Sequence, residues 1–413
     1  MIDINLIREN PELVKAGVAR KHYDAGIVDR VVALDKERLD LLQKVEELRH
    51  ERNEISKNDS PENREKGKEI KEKLKEIEPQ LEKAEEQLNT AFQGIPNLPQ
   101  DDVPEGEGEK DNKVLREWGE PKKFSFTPKD HVELGKELDI IDFEKAAKVS
   151  GSDFYYLKND GVLLELALVN YGIRFLIERG FTPMITPDLA KERYYLGTGY
   201  LPKGDEAQIY TVQGHDLGLI ATAEVTLAGY HADETLNKKD LPIKYAGYSH
   251  CFRQEAGAYG KYSKGLYRVH QFTKVEMFAY TKPEDSNNML QEFLKTEEEF
   301  WQSLEIPYRV VEMCAGDLGS QATQKYDLEA WMPGRNDWGE VTSTSNTTDY
   351  QARNLNIKFR DGDETKYVHM LNGTLFAASR APIAILENNQ QEDGSVVIPE
   401  VLHPYMGKDK IEK

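Results

Sequence analysis

The sequence feature that most constrains the fold is a repeat of apolar residues, spaced alternately four and three positions apart, between Ile70 and Ala91. Its members are Ile70, Leu74, Ile77, Leu81, Ala84, Leu88 and Ala91. Most residues between them are charged, so the segment is a heptad pattern, which predicts a long helix packed against a second helix. A matching apolar series precedes it at Leu41, Val45, Leu48 and Ile55.

The segment 57–63 separates the two apolar series and contains turn-forming residues and a proline. It predicts that the chain reverses there, giving an antiparallel helical hairpin over about residues 31–93, with a kink at Pro79. Such a hairpin serves either as a spacer or dimerisation element, or as an arm that grips an elongated partner such as RNA. Basic residues near the turn offer a candidate phosphate-binding tip: Arg49, Arg52, Lys57, Arg64, Lys66, Lys68 and Lys71.

Charge and cysteine content limit the function classes. Of the 413 residues 31 % are charged, above the usual ~25 %, and the net charge is −20. This balance argues against a protein that coats DNA or other nucleic acid through bulk electrostatics, but it leaves room for a local basic surface. Two cysteines, no signal sequence and no apolar run of membrane-spanning length lead us to expect a soluble, cytoplasmic protein.

A linker rich in proline, glycine and acidic residues follows the hairpin at 94–106. We therefore expect an N-terminal domain at 1–110 and a larger domain at 111–413. The larger part mixes helical runs with short strand-like runs, at 161–179 and 284–304 for helices and at 244–249, 274–280, 308–313 and 326–331 for strands. Strands follow strands without regular helical crossovers, which favours an α+β fold with an antiparallel sheet flanked by helices.

Several familiar chemistries have no motif in this sequence. The segment Gly257–Lys261 resembles a phosphate-binding P-loop, but Glu255 stands in place of the first glycine and Tyr262 in place of the last hydroxyl residue. There is no dinucleotide-binding glycine motif and no His-Glu-x-x-His, and the nine histidines are too scattered to predict zinc. If the chain binds ATP, it does so without a P-loop or a dinucleotide-binding glycine motif.

Three segments carry the candidate chemistry, at 180–187, 250–278 and 371–380. In a strand, Arg253 and Glu255 would point to one face, because side chains alternate with a period of two. Arg268, Phe272 and Glu276 are also evenly spaced. Two such strands would present arginines, glutamates and an aromatic ring on one surface. That combination is too costly for an apolar core and suits a polyanion that carries a flat ring.

These segments resemble motifs 1, 2 and 3 of class II aminoacyl-tRNA synthetases, here at about 171–187, 250–278 and 371–386. Four further runs resemble the seryl-tRNA synthetase family: Gly197-Thr-Gly-Tyr-Leu-Pro-Lys203, Thr222-Ala-Glu224, Glu340-Val-Thr-Ser-Thr-Ser-Asn346 and Pro399-Glu-Val-Leu-His-Pro-Tyr405. The resemblance covers the whole chain, since that family also begins with a long helical hairpin. It implies that the hairpin is a coiled-coil arm that binds tRNA.

The resemblance implies an enzyme that couples L-serine with ATP to seryl-adenylate and pyrophosphate, then transfers serine to the 3′ end of tRNA(Ser), with tRNA(Sec) as a further candidate. It implies catalytic roles for Arg253, Arg268 and Arg380. The implied ATP-binding residues are Arg253, Gln254, Glu255, Arg268, Val269, Phe272, Glu340, Val341, Thr342, Ser343 and Arg380. The implied serine-binding residues are Thr222, Ala223, Glu224, Arg253, Glu276, Asn372 and Thr374. Glu340 and Ser343 match the family's Mg²⁺ positions, no zinc is expected, and Pro187 matches a homodimer interface.

One departure from the family pattern concerns motif 3, where Thr374 replaces the serine of many bacterial members and two glycines are lost. Eukaryotic-type members also carry threonine there, so we interpret the change as subfamily variation. Two alternatives remain: a paralogue that charges a carrier protein, which would normally lack the arm, and a non-catalytic interaction protein on the same fold, which would be expected to lose the ATP-binding arginines.

Overall fold

A computed structural model describes residues 1–58, 60–200, 209–255 and 263–413. Two parts of predicted motifs lie outside the described residues, namely Leu201–Lys203 and the glycine-containing turn Gly257–Lys261. The chain divides into two compact units, Met1–Leu98 and Pro99–Lys413. Among the described residues, no helix has both the length and the apolar character needed to cross a membrane.

The first unit is helical, with α1 Ile4–Glu9, α2 Pro11–Arg20, α3 Gly26–Ile55 and α4 Pro61–Gln93. Helix α4 begins where the sequence provides a start signal: the Ser60 hydroxyl accepts a hydrogen bond from the Asn63 amide at 3.1 Å, and Pro61 occupies the first helical position. Helix α4 continues through Pro79, so this proline does not end it.

Helices α3 and α4 pack through the predicted heptad positions. The packed cluster comprises Val45, Ile70 and Leu74, with Leu48, Ile55, Ile77 and Leu81 partly buried around them. The two-helix hairpin predicted from the apolar repeat is therefore confirmed, with helices of 30 and 33 residues. At about 1.5 Å per residue each is roughly 45–50 Å long, and α3 begins at Gly26, ahead of the predicted start near residue 31.

The second unit is built on an eight-stranded sheet. Its helices are α5 His131–Glu137, α6 Phe143–Ser150, α7 Asp160–Ile177, α8 Glu192–Thr198, α9 Glu224–Gly229, α10 Ser286–Ser303, α11 Tyr350–Leu355, α12 Ala381–Asn389 and α13 His403–Met406. Its strands are β1 Lys113–Trp118, β2 Ile141–Asp142, β3 Tyr156–Leu157, β4 Thr182–Ile185, β5 Leu189–Ala190, β6 Gly218–Leu219, β7 Thr235–Asn237, β8 Ile243–Phe252, β9 Gln271–Thr281, β10 Tyr308–Glu312, β11 Gln324–Met332, β12 Asp337–Asn346, β13 Lys358–Asp361, β14 Glu364–Tyr367, β15 His369–Ala377, β16 Val396–Val397 and β17 Lys410–Ile411.

The order of the large sheet is β1-β10-β11-β12-β15-β9-β8-β4. Every neighbouring pair is antiparallel except β4 with β8, which is parallel. Strand β9 runs through the interior of the sheet, between β8 and β15, and all but one of its eleven residues are buried. The α+β class and the mainly antiparallel sheet expected from the sequence are confirmed.

The helices α7 and α10 cover the sheet through apolar side chains. Phe293, Phe300 and Trp301 of α10 are fully buried with Leu168 and Leu176 of α7 in the main core. The Trp301 indole nitrogen donates to the Leu375 carbonyl at 3.2 Å, so the one polar atom of this ring is satisfied within the core. This packing supports the strands that carry the candidate site.

Candidate active site

A cavity of about 350 Å³ lies in the second unit, lined largely by β9, β12 and β15 and by the segments that flank β9. Fourteen residues singled out in the sequence line it: Glu224, Arg253, Glu255, Arg268, Val269, Phe272, Glu276, Glu340, Val341, Thr342, Ser343, Asn372, Thr374 and Arg380. Segments far apart in sequence therefore converge on one polar cavity.

Strand β9 supplies one wall of the cavity through Phe272, Lys274 and Glu276, which alternate onto the same face of the strand. Glu276 is 1 % exposed, and its Oε2 lies 2.5 Å from the Nζ of the buried Lys274. The Thr374 hydroxyl donates to the same Oε2 at 3.2 Å. Sequence reasoning missed Lys274, although its even spacing from Phe272 and Glu276 was a usable signal.

The region between β8 and β9 departs from the predicted strand geometry. Arg253 and Glu255 do not share a strand, because β8 ends at Phe252 and Glu255 has a left-handed backbone with φ of 51°. Arg268 likewise lies before β9 rather than in it. Arg268 and Glu255 nevertheless lie on one surface, because they form an ion pair and both line the cavity.

Arg253 is held at the centre of this region. Its Nε donates to the Ala221 carbonyl at 3.3 Å, and its guanidinium carbon lies 5.3 Å from the centre of the Phe272 ring. Its backbone amide donates to the His270 carbonyl at 3.0 Å, so the antiparallel pairing of this hairpin extends one residue beyond β8. The guanidinium is thus fixed next to an aromatic ring at the cavity wall.

Strand β12 and the residue before α12 form the opposite side. Arg380 Nη1 lies 2.8 Å from Glu340 Oε1 and also donates to the Glu340 carbonyl at 2.9 Å. The Arg380 guanidinium carbon lies 4.8 Å from the centre of the Tyr267 ring. Burial acts to raise the pKa of Glu340, but the positive charges of Arg380 and Lys325 outweigh it and hold that pKa at about 2. Glu340 therefore stays ionised at neutral pH.

Glu224, the first residue of α9, sits in a polar recess of the same cavity and is 3 % exposed. Its Oε1 accepts hydrogen bonds from Gln351 at 2.7 Å and Asn372 at 3.0 Å, and its Oε2 accepts one from the Tyr200 hydroxyl at 3.3 Å. Burial, reinforced by the negative charge of Glu276, raises the pKa of Glu224 to about 7. Gln351 was not identified from the sequence, and Tyr200 was singled out only as part of the run 197–203, without a role.

Three predicted site residues do not line the cavity. The Thr222 hydroxyl accepts a hydrogen bond from the Glu224 amide at 3.3 Å, so it acts at the start of α9. Ala223 is fully buried beside it. Gln254 donates through Nε2 to the Ile209 carbonyl at 2.8 Å, which ties the end of the β8 segment to a neighbouring stretch of chain.

The seven candidate arm residues lie in the first unit, and all are exposed. Among them, Arg49 forms an ion pair with Glu78 at 2.8 Å, Lys57 with Glu54 at 2.6 Å and Lys66 with Glu62 at 3.2 Å. Arg52, Arg64, Lys68 and Lys71 complete the exposed basic set. Surface pairs of this kind are weak, so the basic groups remain available to exchange partners.

The described residues contain no group of three or more His, Cys, Asp or Glu side chains arranged to hold a metal ion. Glu340 and Ser343 both line the cavity, three residues apart on β12, where the pairing with β11 shifts register between Glu340 and Thr342. Asp327 of β11 lies opposite Ser343. Asp327 is 5 % exposed, and its Oδ1 has no hydrogen-bond partner. This set offers only oxygen donors, including one unsatisfied buried oxygen, which suits Mg²⁺ bound jointly with a phosphate ligand.

Comparison with known proteins matches both units. Residues 1–99 match the seryl-tRNA synthetase N-terminal domain, and residues 209–389 match the tRNA synthetase class II core domain (G, H, P, S and T). A serine--tRNA ligase of Dictyoglomus thermophilum is 54 % identical, covering 100 % of this chain and 99 % of the relative. One of Treponema denticola is 51 % identical, covering 100 % of both chains.

Solved structures agree with the sequence matches. Seryl-tRNA synthetase from Pyrococcus horikoshii, complexed with ATP, is 44 % identical with a TM-score of 0.92, covering 100 % of this chain and 99 % of that one. Cytoplasmic serine-tRNA ligase from Naegleria fowleri, in complex with AMP, is 37 % identical with a TM-score of 0.89 and the same coverage. The chain belongs to the seryl-tRNA synthetase family, the serine--tRNA ligases of class II.

Proposed function

We propose that the cavity activates L-serine with ATP and that the enzyme then transfers the seryl group to the 3′ end of tRNA(Ser). In the first step a serine carboxylate oxygen attacks the α-phosphorus of ATP, and the bond to the leaving pyrophosphate breaks. In the second step a hydroxyl of the terminal tRNA ribose attacks the seryl carbonyl carbon and AMP leaves. Whether the enzyme also charges tRNA(Sec) is a separate question, which the charging assay below answers.

One observation carries this proposal: in a chain 54 % identical to a serine--tRNA ligase, the three arginines and four glutamates singled out from the motifs all line one cavity. A triphosphate needs cationic donors, and an amino acid needs a carboxylate for its ammonium. The cavity offers both kinds of group within one volume of about 350 Å³.

The ATP side of the cavity is assigned as follows. Arg253 binds the α-phosphate, where its planar guanidinium stabilises the negative charge that builds up in the transition state. Arg268 binds the terminal phosphates, and Glu255 accepts a hydrogen bond from the adenine amino group. ATP binding therefore replaces the ion pair between these two residues. Phe272 and Arg380 cover the two faces of adenine, with the Val269 backbone at its edge. Gln254 does not line the cavity and supports its wall through the hydrogen bond to the Ile209 carbonyl.

The serine side of the cavity is assigned to a second group of residues. Glu224 receives the substrate ammonium, with Thr222 and Ala223 setting the start of α9 beneath it. Glu276 accepts a hydrogen bond from the serine hydroxyl. Its two protein contacts both converge on Oε2, so we assign Oε1 to the substrate. Asn372 and Thr374 complete this recess from β15.

Magnesium is assigned to Glu340 and Ser343, with Val341 and Thr342 shaping the strand between them. The low pKa of Glu340 keeps its carboxylate charged, and the unsatisfied Asp327 oxygen lies nearby on β11. When bound, the ion would neutralise phosphate charge. Arg380 holds the Glu340 side chain in place through its 2.8 Å contact.

Recognition of tRNA is assigned to the N-terminal domain at 1–110, whose compact unit is Met1–Leu98. The exposed basic residues of the hairpin contact tRNA phosphates, while the remainder of the chain carries the chemistry. The match to the seryl-tRNA synthetase N-terminal domain supports this division and weighs against a carrier-protein paralogue.

Assembly as a homodimer is supported by exposed apolar side chains on motif 1 and on the part of α7 that precedes it. Ile185, on the edge strand β4, is 82 % exposed, and Leu163 and Leu166 of α7 are 40 % and 50 % exposed. Pro187 follows this strand. The two free cysteines, Cys251 and Cys314, are buried, in keeping with a proposed cytoplasmic location. Analytical ultracentrifugation of the full chain tests the dimer.

The proposal is tested by ATP–pyrophosphate exchange with each of the twenty amino acids, followed by charging assays with tRNA(Ser), tRNA(Sec) and a phosphopantetheinylated carrier protein. Serine alone should support exchange above background, and tRNA(Ser) should be charged. Exchange with a different amino acid, or charging of the carrier protein in place of tRNA, would overturn the assignment.

A further inference from the structure

Gln351 is a fully buried glutamine that none of the motif segments contains, yet it contacts the proposed amine-binding carboxylate directly. It lies on α11, and its Nε2 donates to Glu224 Oε1 at 2.7 Å. The two residues are 127 positions apart in sequence. Glu224 itself begins α9, so this contact joins α11 to α9, and both helices also pack against α8.

The same amide is anchored at two other points. Nε2 also donates to the Thr198 carbonyl at the end of α8, at 3.0 Å, and Oε1 accepts from the Thr347 hydroxyl at 3.3 Å. The amide nitrogen of Gln351 therefore makes two hydrogen bonds and its carbonyl oxygen makes one, all to neighbouring chain segments. Its orientation is fixed, so that an N–H, rather than the carbonyl oxygen, faces Glu224.

We propose that Gln351 is a positioning residue for amino-acid recognition, which aims the Glu224 carboxylate at the substrate ammonium. The inference rests on the proposed role of Glu224. A carboxylate with two amide donors on one oxygen is held in a single rotamer, and its other oxygen remains on the side of Tyr200. Without Gln351, Glu224 keeps only its hydrogen bonds from Asn372 and Tyr200, so the substrate must supply more of its ordering, which weakens serine binding.

Because the groups around Glu224 set its pKa, the positioning role can be measured in the pH dependence of serine activation. The groups that face it are Gln351, Asn372, Tyr200, Glu276 and Lys274. Burial and Glu276 disfavour the charged carboxylate, whereas the hydrogen bond from Gln351 favours it. Removing that donor should therefore raise the pKa of Glu224 and move the acidic limb of serine activation to higher pH.

The test compares Gln351→Met and Gln351→Glu in the full chain, by pyrophosphate exchange as a function of serine, ATP and pH. A hydrogen bond to a charged group predicts that KM for serine rises about ten- to a hundred-fold in Gln351→Met, with KM for ATP unchanged. Gln351→Glu keeps the side-chain shape but places a second acid beside Glu224, so its loss should be larger. In Gln351→Met the acidic limb should shift upward.

A matched control is Gln390→Met. Gln390 is also buried and makes three hydrogen bonds through its amide, to Lys129 and Glu387, but it does not line the cavity. This variant should lose stability and keep its KM for serine. If the Gln351 variants fold and retain the wild-type KM for serine and the wild-type pH profile, Gln351 is only structural and the inference fails.

A separate variant distinguishes failure of this inference from failure of the proposed function. Glu224→Gln should abolish serine activation if Glu224 receives the ammonium. If Glu224→Gln is as active as wild type, the amine site itself is misassigned. If Glu224→Gln is inactive while the Gln351 variants match wild type, the site stands and the positioning role of Gln351 is refuted.

Discussion

Replacing Glu276 by alanine should lower the preference for serine over alanine as substrate by about 10- to 150-fold, mainly through loss of serine activity. Glu276 is 1 % exposed, and its Oε2 is occupied by Lys274 and Thr374. A hydroxyl bonded to a buried carboxylate is worth about 1.5–3 kcal/mol, or roughly a 10- to 150-fold effect on kcat/KM for serine. The activity toward alanine should change little, because alanine has no hydroxyl to lose.

The same substitution also removes the partner of Lys274. Breaking a buried ion pair by removing one member costs about 3–5 kcal/mol of stability, since the other charge stays behind unpaired. Glu276→Gln is therefore the companion variant, because it preserves the shape and one acceptor oxygen. It should show an intermediate ratio, and Lys274→Met should retain the wild-type preference while its melting temperature changes.

The assay measures kcat/KM for serine and for alanine by pyrophosphate exchange in each variant. A site built to bond a substrate hydroxyl can reject the analogue without it by about 10⁴–10⁵, so the wild-type ratio should be large. A wild-type ratio in folded Glu276→Ala would show that Glu276 does not bind the hydroxyl. A fall in the ratio in Lys274→Met equal to that in Glu276→Ala would assign discrimination to the ion pair instead.

Three further outcomes are expected. Arg253→Ala should lose adenylate formation by about 10²–10³-fold while remaining folded, because one donor to developing charge is removed; near-normal exchange would contradict its role. Deleting the hairpin from Val32 to Phe92 should leave exchange largely intact and abolish tRNA charging, and unchanged charging at physiological salt would show that the hairpin is only a spacer. In the wild-type enzyme, kcat/KM for serine should fall as the pH decreases through about 7, since protonation of Glu224 removes the charge that pairs with ammonium; a profile that is flat from pH 6 to 8 would contradict this.

The elements governed by local patterns were predictable from the sequence. The apolar repeat from Ile70 to Ala91 was sufficient to predict the hairpin, because the apolar stripe of a heptad repeat is buried only when a second helix packs against it. The run from Lys274 to Tyr280 was sufficient to predict a strand, although not its buried, central place in the sheet. In both cases the side-chain periodicity is a direct consequence of backbone geometry and does not depend on the rest of the fold.

The contacts that shape the site were not predictable in this way. Gln351 and Glu224 meet across 127 positions, and Thr374 and Glu276 across 98, so no local spacing reports either contact. The prediction that Arg253 and Glu255 share a strand was wrong for a related reason. Period-two reasoning holds only while the backbone stays extended, and Glu255 has left that region, with φ of 51°.

The ion pairs of the cavity explain how a protein of net charge −20 can hold a triphosphate. Arg268 is paired with Glu255, Arg380 with Glu340 and Lys274 with Glu276, so each of these cations has a carboxylate in contact before any substrate binds. Burying an unpaired charge is costly, and these pairs remove that cost while keeping the cations fixed at the cavity wall. On the proposed assignment, ATP binding exchanges one anionic partner for another at Arg268, and the displaced Glu255 accepts a hydrogen bond from the adenine amino group. This assignment couples the recognition of adenine to the recognition of phosphate through one ion pair, which favours a ligand that carries both groups over free phosphate or free adenine.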